Sequence, residues 1–490
     1  MRLTDLPADR PATTGEDGAQ ARDPEIAGLT SDSRLVRPGY LFAALPGAKA
    51  DGRRFIAQAV ASGAVAVLAP EGTVPPPEAR DVAFLTDPDP RRRFALMAAA
   101  FHGRQPGTAV AVTGTNGKTS TVQFVRQIWE RLGHPAASLG TLGVTAPGFE
   151  PRGSLTTPDP ASLHATLAEL AAAGIDHVAM EASSHGLDQR RLDGVRLIAA
   201  GFTNLSRDHL DYHGTMPAYL AAKAMLFGRV MAPGGTAVLN ADVPETASLE
   251  ELCAARGHRV LRYGFAGPEL TVRAAEALPH GQRLDLRVLG RDHRVQLPLA
   301  GRFQAWNALC ALGLAIGGGA EAGAAVAALE HLTGVKGRLE LVARHPAGAA
   351  VYVDYAHTPD ALETILNALR PHTEGRLAVV FGCGGDRDRG KRPVMASIAA
   401  RLADRVYVTD DNPRSEEPAA IRREVLAGAP GATEIGDRAE AIDAAVRDLG
   451  PGDVLVVAGK GHEQGQIVGA ETRPFDDADE VRRAVRETAS

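Results

Sequence analysis

The stretch Ala109-Val-Ala-Val-Thr-Gly-Thr-Asn-Gly-Lys-Thr-Ser120 decides how the chain folds. Ala109 to Thr113 is a short apolar run and reads as a buried strand. It breaks into a glycine turn, and helix-competent sequence from Val122 to Leu132 follows at once. A strand, a tight glycine loop and a helix N-terminus make an anion site. Backbone N–H groups point into the loop, and the helix dipole adds partial positive charge. Lys118 adds a mobile full charge for the β- and γ-phosphates of a nucleoside triphosphate, and the Thr119 hydroxyl suits Mg²⁺. The general phosphate-loop pattern has a further glycine five residues before Gly117, where this chain has Val112, so the loop is a shortened variant. A plain glycine turn with a surface lysine fits less well, because strand, turn, Lys-Thr and helix occur in the required order.

The rest of the chain sets bounds on what such a loop serves. At 490 residues it exceeds one ordinary core, and the length suggests about three domains. Apolar content of 44% and charged content of 23% are those of a globular protein. A net charge of −6 argues against a general nucleic-acid binder and leaves a small anionic ligand open. Cys253, Cys310 and Cys383 lie far apart and form no C-x-x-C, so neither a disulfide framework nor a zinc site is indicated. No apolar run approaches the ~18 residues of a membrane span, and Met1 to Asp23 lacks the apolar core of a signal peptide. A cytoplasmic protein without membrane insertion is expected.

The predicted class is α/β with three domains. Residues 1–104 read as a small α/β unit with strands at Tyr40–Ala44 and Ala64–Leu68 and helices at Ala57–Ser62 and Phe94–Phe101. Residues 105–332 alternate strands and helices, which predicts a mostly parallel sheet. Strands are expected at His177–Glu181 and Leu197–Thr203 and helices at Ala218–Phe227 and Ala305–Ile316. Polar/apolar alternation from Leu270 to Leu299 predicts an antiparallel excursion. Residues 333–490 read as a second doubly wound, Rossmann-like unit. Its strands are expected at Ala350–Tyr355, Leu377–Phe381, Arg405–Thr409 and Val454–Val457, and its helices begin near Asp360, Pro393, Pro418 and Arg438.

Ligands of parallel sheets sit off the carboxyl ends of the strands. Glu181 closes an apolar strand and would face the same crevice as Thr119, placed to hold Mg²⁺ through oxygen. The segment Thr203 to His213 also follows a strand and carries Asn204, Asp208, His209, Asp211, Tyr212 and His213. Its composition fits a second metal or phosphate-facing loop as well as a solvated turn. Lys223, among small and apolar residues, reads on its own as a snorkelling surface lysine. Loops at Gly382–Pro393, Asp410–Pro418 and Gly459–Glu463 each follow a strand of the last unit. Their arginines and carboxylates suit an amino acid, whose carboxylate and ammonium they complement.

Together these motifs resemble the Mur ligases. The resemblance rests on Gly114-Thr-Asn-Gly-Lys-Thr-Ser120, Glu181-Ala-Ser-Ser-His185, Asn204-x-x-x-Asp-His-Leu-Asp211, Gly301-Arg-Phe-Gln-Ala-Trp-Asn307 and Asp354-Tyr-Ala-His-Thr-Pro-Asp360, and runs from about Leu29 to Glu463. Thr30-Ser-Asp-Ser-Arg34 and Ala50-Asp-Gly-Arg53 resemble the family's UDP-binding domain. Asp411-Asn-Pro-Arg414 matches the tetrapeptide of the members that add meso-diaminopimelate rather than lysine.

The resemblance implies roles for single residues. Ser33 and the loop Ala48, Lys49 and Ala50 would hold UDP. Thr156, Thr157, Ser183, Gln189 and Arg191 would hold the muramoyl dipeptide. Gly114, Thr115, Asn116, Gly117, Lys118, Thr119 and Ser120 would bind ATP, with Asn307 near adenine and Arg338 and Asp354 near ribose and phosphates. Thr119, Glu181, His209 and a carbamylated Lys223 would ligate Mg²⁺. Arg387, Asp411, Asn412, Pro413, Arg414, Gly459 and Glu463 would bind meso-diaminopimelate. His357 is a candidate to help deprotonate the attacking amine, as is the Asp208/His209 loop. The chain departs from some relatives at Leu155, where they carry asparagine. The implied activity is ATP-dependent amide ligation to a UDP-muramoyl dipeptide through an acyl phosphate, by a monomer. A lysine-adding ligase and a folylpolyglutamate synthase-like ligase are the alternatives.

Overall fold

The computed structural model describes residues 1–6, 22–47, 50–149 and 156–488. Ala48, Lys49 and Leu155 lie outside the described residues. The chain forms two compact units, Met1–Tyr263 with Cys310–Glu321, and Gly264–Leu309 with Ala322–Ser490.

The first unit holds two sheets. One has four parallel strands in sequential order, β1 (Gly28–Thr30), β2 (Tyr40–Ala43), β3 (Ala66–Pro70) and β4 (Ala83–Asp87). The other contains β5 (Thr108–Thr113), β6 (Ala136–Gly140), β7 (Gly143–Thr145), β8 (His177–Glu181), β9 (Leu197–Phe202), β10 (Thr236–Asn240) and β11 (Arg259–Gly264). Their order is β11-β10-β9-β5-β8-β6-β7, parallel except for β7. The middle strands are covered on both faces, which is why they read as continuous apolar runs rather than as alternating ones. β5 lies between β8 and β9, so Gly114, Glu181 and Thr203 emerge side by side at one sheet edge.

Several helices begin where an oxygen-bearing cap precedes proline. Asp89-Pro90, Asp159-Pro160, Thr358-Pro359 and Glu417-Pro418 each accept backbone N–H groups at a helix start, and proline there loses no hydrogen bond. The phosphate-loop helix spans Lys118–Arg131 and so starts four residues before the expected Val122. The helix Met216–Met225 runs on into a π-helical turn at Leu226–Val230.

The second unit carries the expected antiparallel excursion as a meander of β12 (Leu270–Leu278), β13 (Gly281–Val288) and β14 (Arg291–Leu297). Its main sheet uses β15 (Glu340–Arg344), β16 (Ala350–Asp354), β17 (Leu377–Phe381), β18 (Arg405–Val408), β19 (Thr433–Glu434) and β20 (Val454–Ala458), in the order β15-β16-β20-β17-β18-β19. Only β15 is antiparallel to its neighbour. Alternate residues build two cores. Ala350 and Tyr352 join the helices Pro359–Leu369 and Lys391–Leu402, whereas Val351 and Val353 join Arg438–Arg447 and Asp477–Thr488. A hairpin of β21 (Gly465–Val468) and β22 (Glu471–Pro474) follows β20. No helix among the described residues is long and apolar enough to cross a membrane.

Arg438 and Asp477 are wholly buried and meet through two hydrogen bonds, Nε to Oδ1 at 2.7 Å and Nη2 to Oδ2 at 2.8 Å. Arg438 also donates to the Ala458 carbonyl at 3.0 Å. The pair ties two helices to the end of β20. Asp477→Ala strands the guanidinium, so it should cost about 3–5 kcal/mol in denaturant unfolding. A loss below about 1 kcal/mol would mean that Arg438 finds other partners.

Candidate active site

The phosphate loop is set by two glycines and held by the segment after β9. A Cβ at Gly114 (φ 148°) would collide with Thr203 Oγ1, and Gly117 (φ 87°) turns the chain into the helix. Thr115 N–H donates to Asn204 O at 2.9 Å and Asn116 N–H to Asn204 Oδ1 at 3.0 Å. Thr203 Oγ1 donates to Asn116 O at 2.6 Å, and Ser206 N–H to Thr115 Oγ1 at 3.0 Å. The loop is thus preformed. Lys118 Nζ donates to the carbonyls of Gly114 (3.0 Å) and Thr115 (2.9 Å), folded over the cradle it would share with phosphate. Ser120 is buried in the helix behind it.

Glu181 ends β8 beside this loop and is buried. Thr119 Oγ1 donates to Glu181 Oε1 at 2.9 Å, as does Thr141 N–H at 2.8 Å. The carboxylate lies over Gly140, where no Cβ would fit. Two hard oxygen donors side by side fit Mg²⁺. His209 lies on the loop after β9, half exposed and at φ 51°. Its ring contacts are with His185 (4.8 Å) and Tyr219 (6.2 Å). Among the described residues no three His, Cys, Asp or Glu side chains converge on one metal position.

Lys223 corrects the surface reading its neighbours suggest. It is 1% exposed, and Nζ donates to Gly114 O at 2.7 Å and lies 4.1 Å from the centre of the Tyr219 ring. Two lysines therefore meet one carbonyl of the phosphate loop. Burial, then the nearby Lys118 charge, lowers the Lys223 pKa to about 6. Its amine is mostly neutral at pH 7, the form that can attack CO₂.

The residues expected to hold the muramoyl dipeptide form one hydrogen-bonded group next to Glu181. Thr157 Oγ1 donates to Glu181 O at 3.0 Å and accepts from Ser183 N–H at 3.1 Å. Arg191 donates to Thr157 O at 2.6 Å and to Gln189 Oε1 at 2.7 Å. Thr156 Oγ1 is 3.0 Å from Thr141 Oγ1. Ser33 donates to Gln58 Oε1 at 3.4 Å, and Ala50 O accepts from Gly47 N–H at 3.0 Å.

In the second unit, Asn307 Nδ2 donates to Gln304 Oε1 at 3.0 Å, and Gln304 Nε2 to Arg338 O at 3.2 Å. The buried Asp354 accepts from Leu339 N–H at 2.6 Å and Ala356 N–H at 2.7 Å. Burial raises its pKa to about 6, opposed by Arg338. Asn307, Arg338 and Asp354 thus form one chain of contacts. His357 Nδ1 is 2.8 Å from Tyr355 O. A carbonyl only accepts, so Nδ1 carries the hydrogen and Nε2 keeps its lone pair for a proton.

The three loops after β17, β18 and β20 do converge. Asn412 Nδ2 donates to Glu463 Oε2 at 2.9 Å, and Arg414 Nη1 to Gly385 O at 2.9 Å. Gly459 faces the Asp411 carboxylate, which a Cβ would meet at 2.8 Å. Pro413 joins the buried Asn412 to Arg414. Arg414 Nε and Nη2 make no hydrogen bond among the described residues, leaving one edge of the guanidinium fork open. Arg387 is exposed and donates to Asp386 O at 3.4 Å. Sequence reasoning missed Lys460, which is wholly buried in this cluster. Its place between two glycines directly after an apolar strand was the available signal.

Residues 25–102, 112–315 and 337–461 match the family profiles described as Mur ligase family catalytic domain, Mur ligase middle domain and Mur ligase glutamate ligase domain. The chain belongs to the Mur ligase family. Its similarity to single Mur ligases extends over nearly the whole length. The UDP-N-acetylmuramoyl-L-alanyl-D-glutamate--2,6-diaminopimelate ligase of Rhizobium meliloti (strain 1021) is 55% identical over 488 residues, 99% of each chain. The enzyme of that name from Mesorhizobium japonicum is 54% identical over all of both chains. A solved structure of a ligase with the same name aligns with a TM-score of 0.72 at 34% identity, covering 95% of this chain and 96% of that one.

Proposed function

We propose that this Mur ligase joins meso-2,6-diaminopimelate to the D-glutamyl γ-carboxylate of UDP-N-acetylmuramoyl-L-Ala-D-Glu, with release of ADP and phosphate, in cytoplasmic synthesis of the peptidoglycan precursor. Residues 1–104 would take UDP, 105–332 ATP and the muramoyl dipeptide, and 333–490 the amino acid. The observation that carries the reading is the convergence of three strand-end loops, where Asn412 meets the Glu463 carboxylate and Arg414 meets Gly385 O with one guanidinium edge left open. Such a cluster complements a substrate bearing both charges at each end.

The reaction follows from the groups present. An amine does not displace oxide from a carboxylate, so the γ-carboxylate first attacks the γ-phosphorus of ATP. The P–O bond to ADP breaks and an acyl phosphate forms. The amine then adds to the acyl carbon, loses a proton, and phosphate leaves. Phosphoryl transfer asks for positioning and charge neutralisation. Lys118 would move from the loop carbonyls onto the phosphates. Thr119, Glu181, His209 and carbamylated Lys223 would hold Mg²⁺, which supplies positive charge beside the phosphates. Carbamylation forms an N–C bond from neutral Lys223 to CO₂ and sheds one proton to solvent, turning a neutral amine into an anion. Thr157, Ser183, Gln189 and Arg191 would orient the dipeptide, and His357 Nε2 would accept the amine proton.

With ATP, Mg²⁺ and the UDP-muramoyl dipeptide, phosphate release should depend on added diaminopimelate. Release that is equal without any amine would sink the ligase reading. A lysine-adding activity is the second reading, and the unfilled edge of Arg414 counts against it, since lysine has no distal carboxylate to fill it.

A further inference from the structure

We infer that Lys460 is a positioning residue of the amino-acid site: it holds Asn412 and Glu463 in the one arrangement that leaves a Glu463 oxygen facing the incoming substrate. The inference rests on the ligase reading above. Lys460 is the second residue after β20, and its side chain is 0% exposed. Nζ donates to Asn412 Oδ1 and to Glu463 Oε2, both at 3.1 Å. Asn412 Nδ2 donates to the same Glu463 oxygen at 2.9 Å, and the hairpin's Ile467 N–H donates to Asn412 Oδ1 at 2.9 Å.

The geometry removes the freedom of both side chains. Two donors meet Asn412 Oδ1, so its amide cannot flip, because Nδ2 would then face an ammonium and an N–H. Glu463 Oε2 is engaged twice, and Oε1 has no hydrogen bond among the described residues. One oxygen therefore anchors the carboxylate, and the other is free to take an ammonium. Gln466 Nε2, donating to Asp411 O at 2.8 Å, extends the same bracing along the Asp411–Arg414 loop. Charge argues the same way. A buried ammonium is costly unless paired, and Lys460 is fully enclosed against one carboxylate that is itself partly open to solvent. A cation kept there without contact to bulk water is suited to fixing the charge of Glu463 rather than to binding substrate itself.

The test uses the full-length enzyme with Lys460→Met, Glu463→Gln and the double variant, measuring kcat and the KM of each substrate. Lys460→Met should raise the KM for diaminopimelate about tenfold or more, as expected for loss of charge-assisted hydrogen bonds. The KM values for ATP and the UDP-muramoyl dipeptide should stay within about twofold. In the Glu463→Gln background the same change should cost little more, because Lys460 acts through Glu463. An unchanged diaminopimelate KM, equal rises for all three substrates, or full additivity in the double variant would each overturn the proposal. If Lys460→Met does not accumulate folded, Lys460→Gln replaces it under the same criteria, and failure of both to fold would show the lysine to be structural. Wild-type enzyme without diaminopimelate-dependent turnover would refute the ligase reading instead.

Discussion

Lys223→Met is expected to abolish amine-dependent phosphate release while making the protein harder to unfold. The two effects come from the same burial. Lys223 is enclosed, hydrogen-bonded to Gly114 O and sharing that carbonyl with Lys118, and the Asp208 charge offsets only part of the effect of burial. Its pKa falls from 10.5 to about 6, first through burial and then through the Lys118 charge. The sign of the linkage follows. Between pH 6 and about 10.4 the unfolded chain holds a proton that the folded chain has released. Wild-type stability therefore rises with pH across that window. The lysine costs of order 6 kcal/mol at pH 6 and about 2 kcal/mol at pH 9. Methionine keeps the volume without the charge, so its advantage in urea unfolding, in CO₂-free buffer, should shrink from pH 6 to pH 9. Activity should fall by at least ~10²–10³, the loss typical of removing one preorganised electrostatic group. With ¹³C-bicarbonate, a carbamate resonance should appear in wild type and not in the variant. A Met variant that is active, or one less stable than wild type at pH 6, would show that the lysine serves packing instead.

Lys223 also shows where reading a sequence stops. The helix Met216–Met225 carries small or apolar residues around most of its circumference, so no period singles out the buried face. That face is set by contact with Gly114, 109 residues away. The phosphate loop was legible because each cause is local: a β-competent run, two glycines at positive φ, and a lysine on the helix start. Glu181 and Thr119 were placed by topology alone, since strand ends of adjacent parallel strands share one edge. The meander from Leu270 to Leu297 showed its period of two. Glu340–Arg344 and the hairpin Gly465–Pro474 did not, being half or fully exposed strands with little apolar pattern. The helix Asp477–Thr488 was hidden by its charge, and its anchor is a buried Asp477 that only Arg438 explains. The three C-terminal loops were legible as a group, but the lysine that braces them was not.

The second large effect is one of discrimination. Arg414→Ala should lower kcat/KM for meso-diaminopimelate by about 10²–10³, as for loss of a bidentate charged contact, and should change kcat/KM for lysine by no more than a few-fold. The substrates differ by one carboxylate on the carbon bearing the distal amine. Arg414 Nη1 is occupied by Gly385 O, and the Nε/Nη2 edge is left for a planar anion. The backbone that presents it does not depend on the side chain. Arg414 N–H donates to Ile467 O at 3.0 Å, and Gly469 N–H donates to Arg414 O at 2.7 Å. These bonds pin the residue at φ 53°, and alanine, which carries a Cβ just as arginine does, should keep the loop in place with no added backbone strain. Arg414→Lys should fall between, because an ammonium offers charge without the fork. Parallel assays with both amino acids separate the outcomes. Equal losses for diaminopimelate and lysine would mean that Arg414 shapes the loop for any amino acid, and the preference for the distal carboxylate would then have to come from another residue, with the exposed Arg387 the next to test.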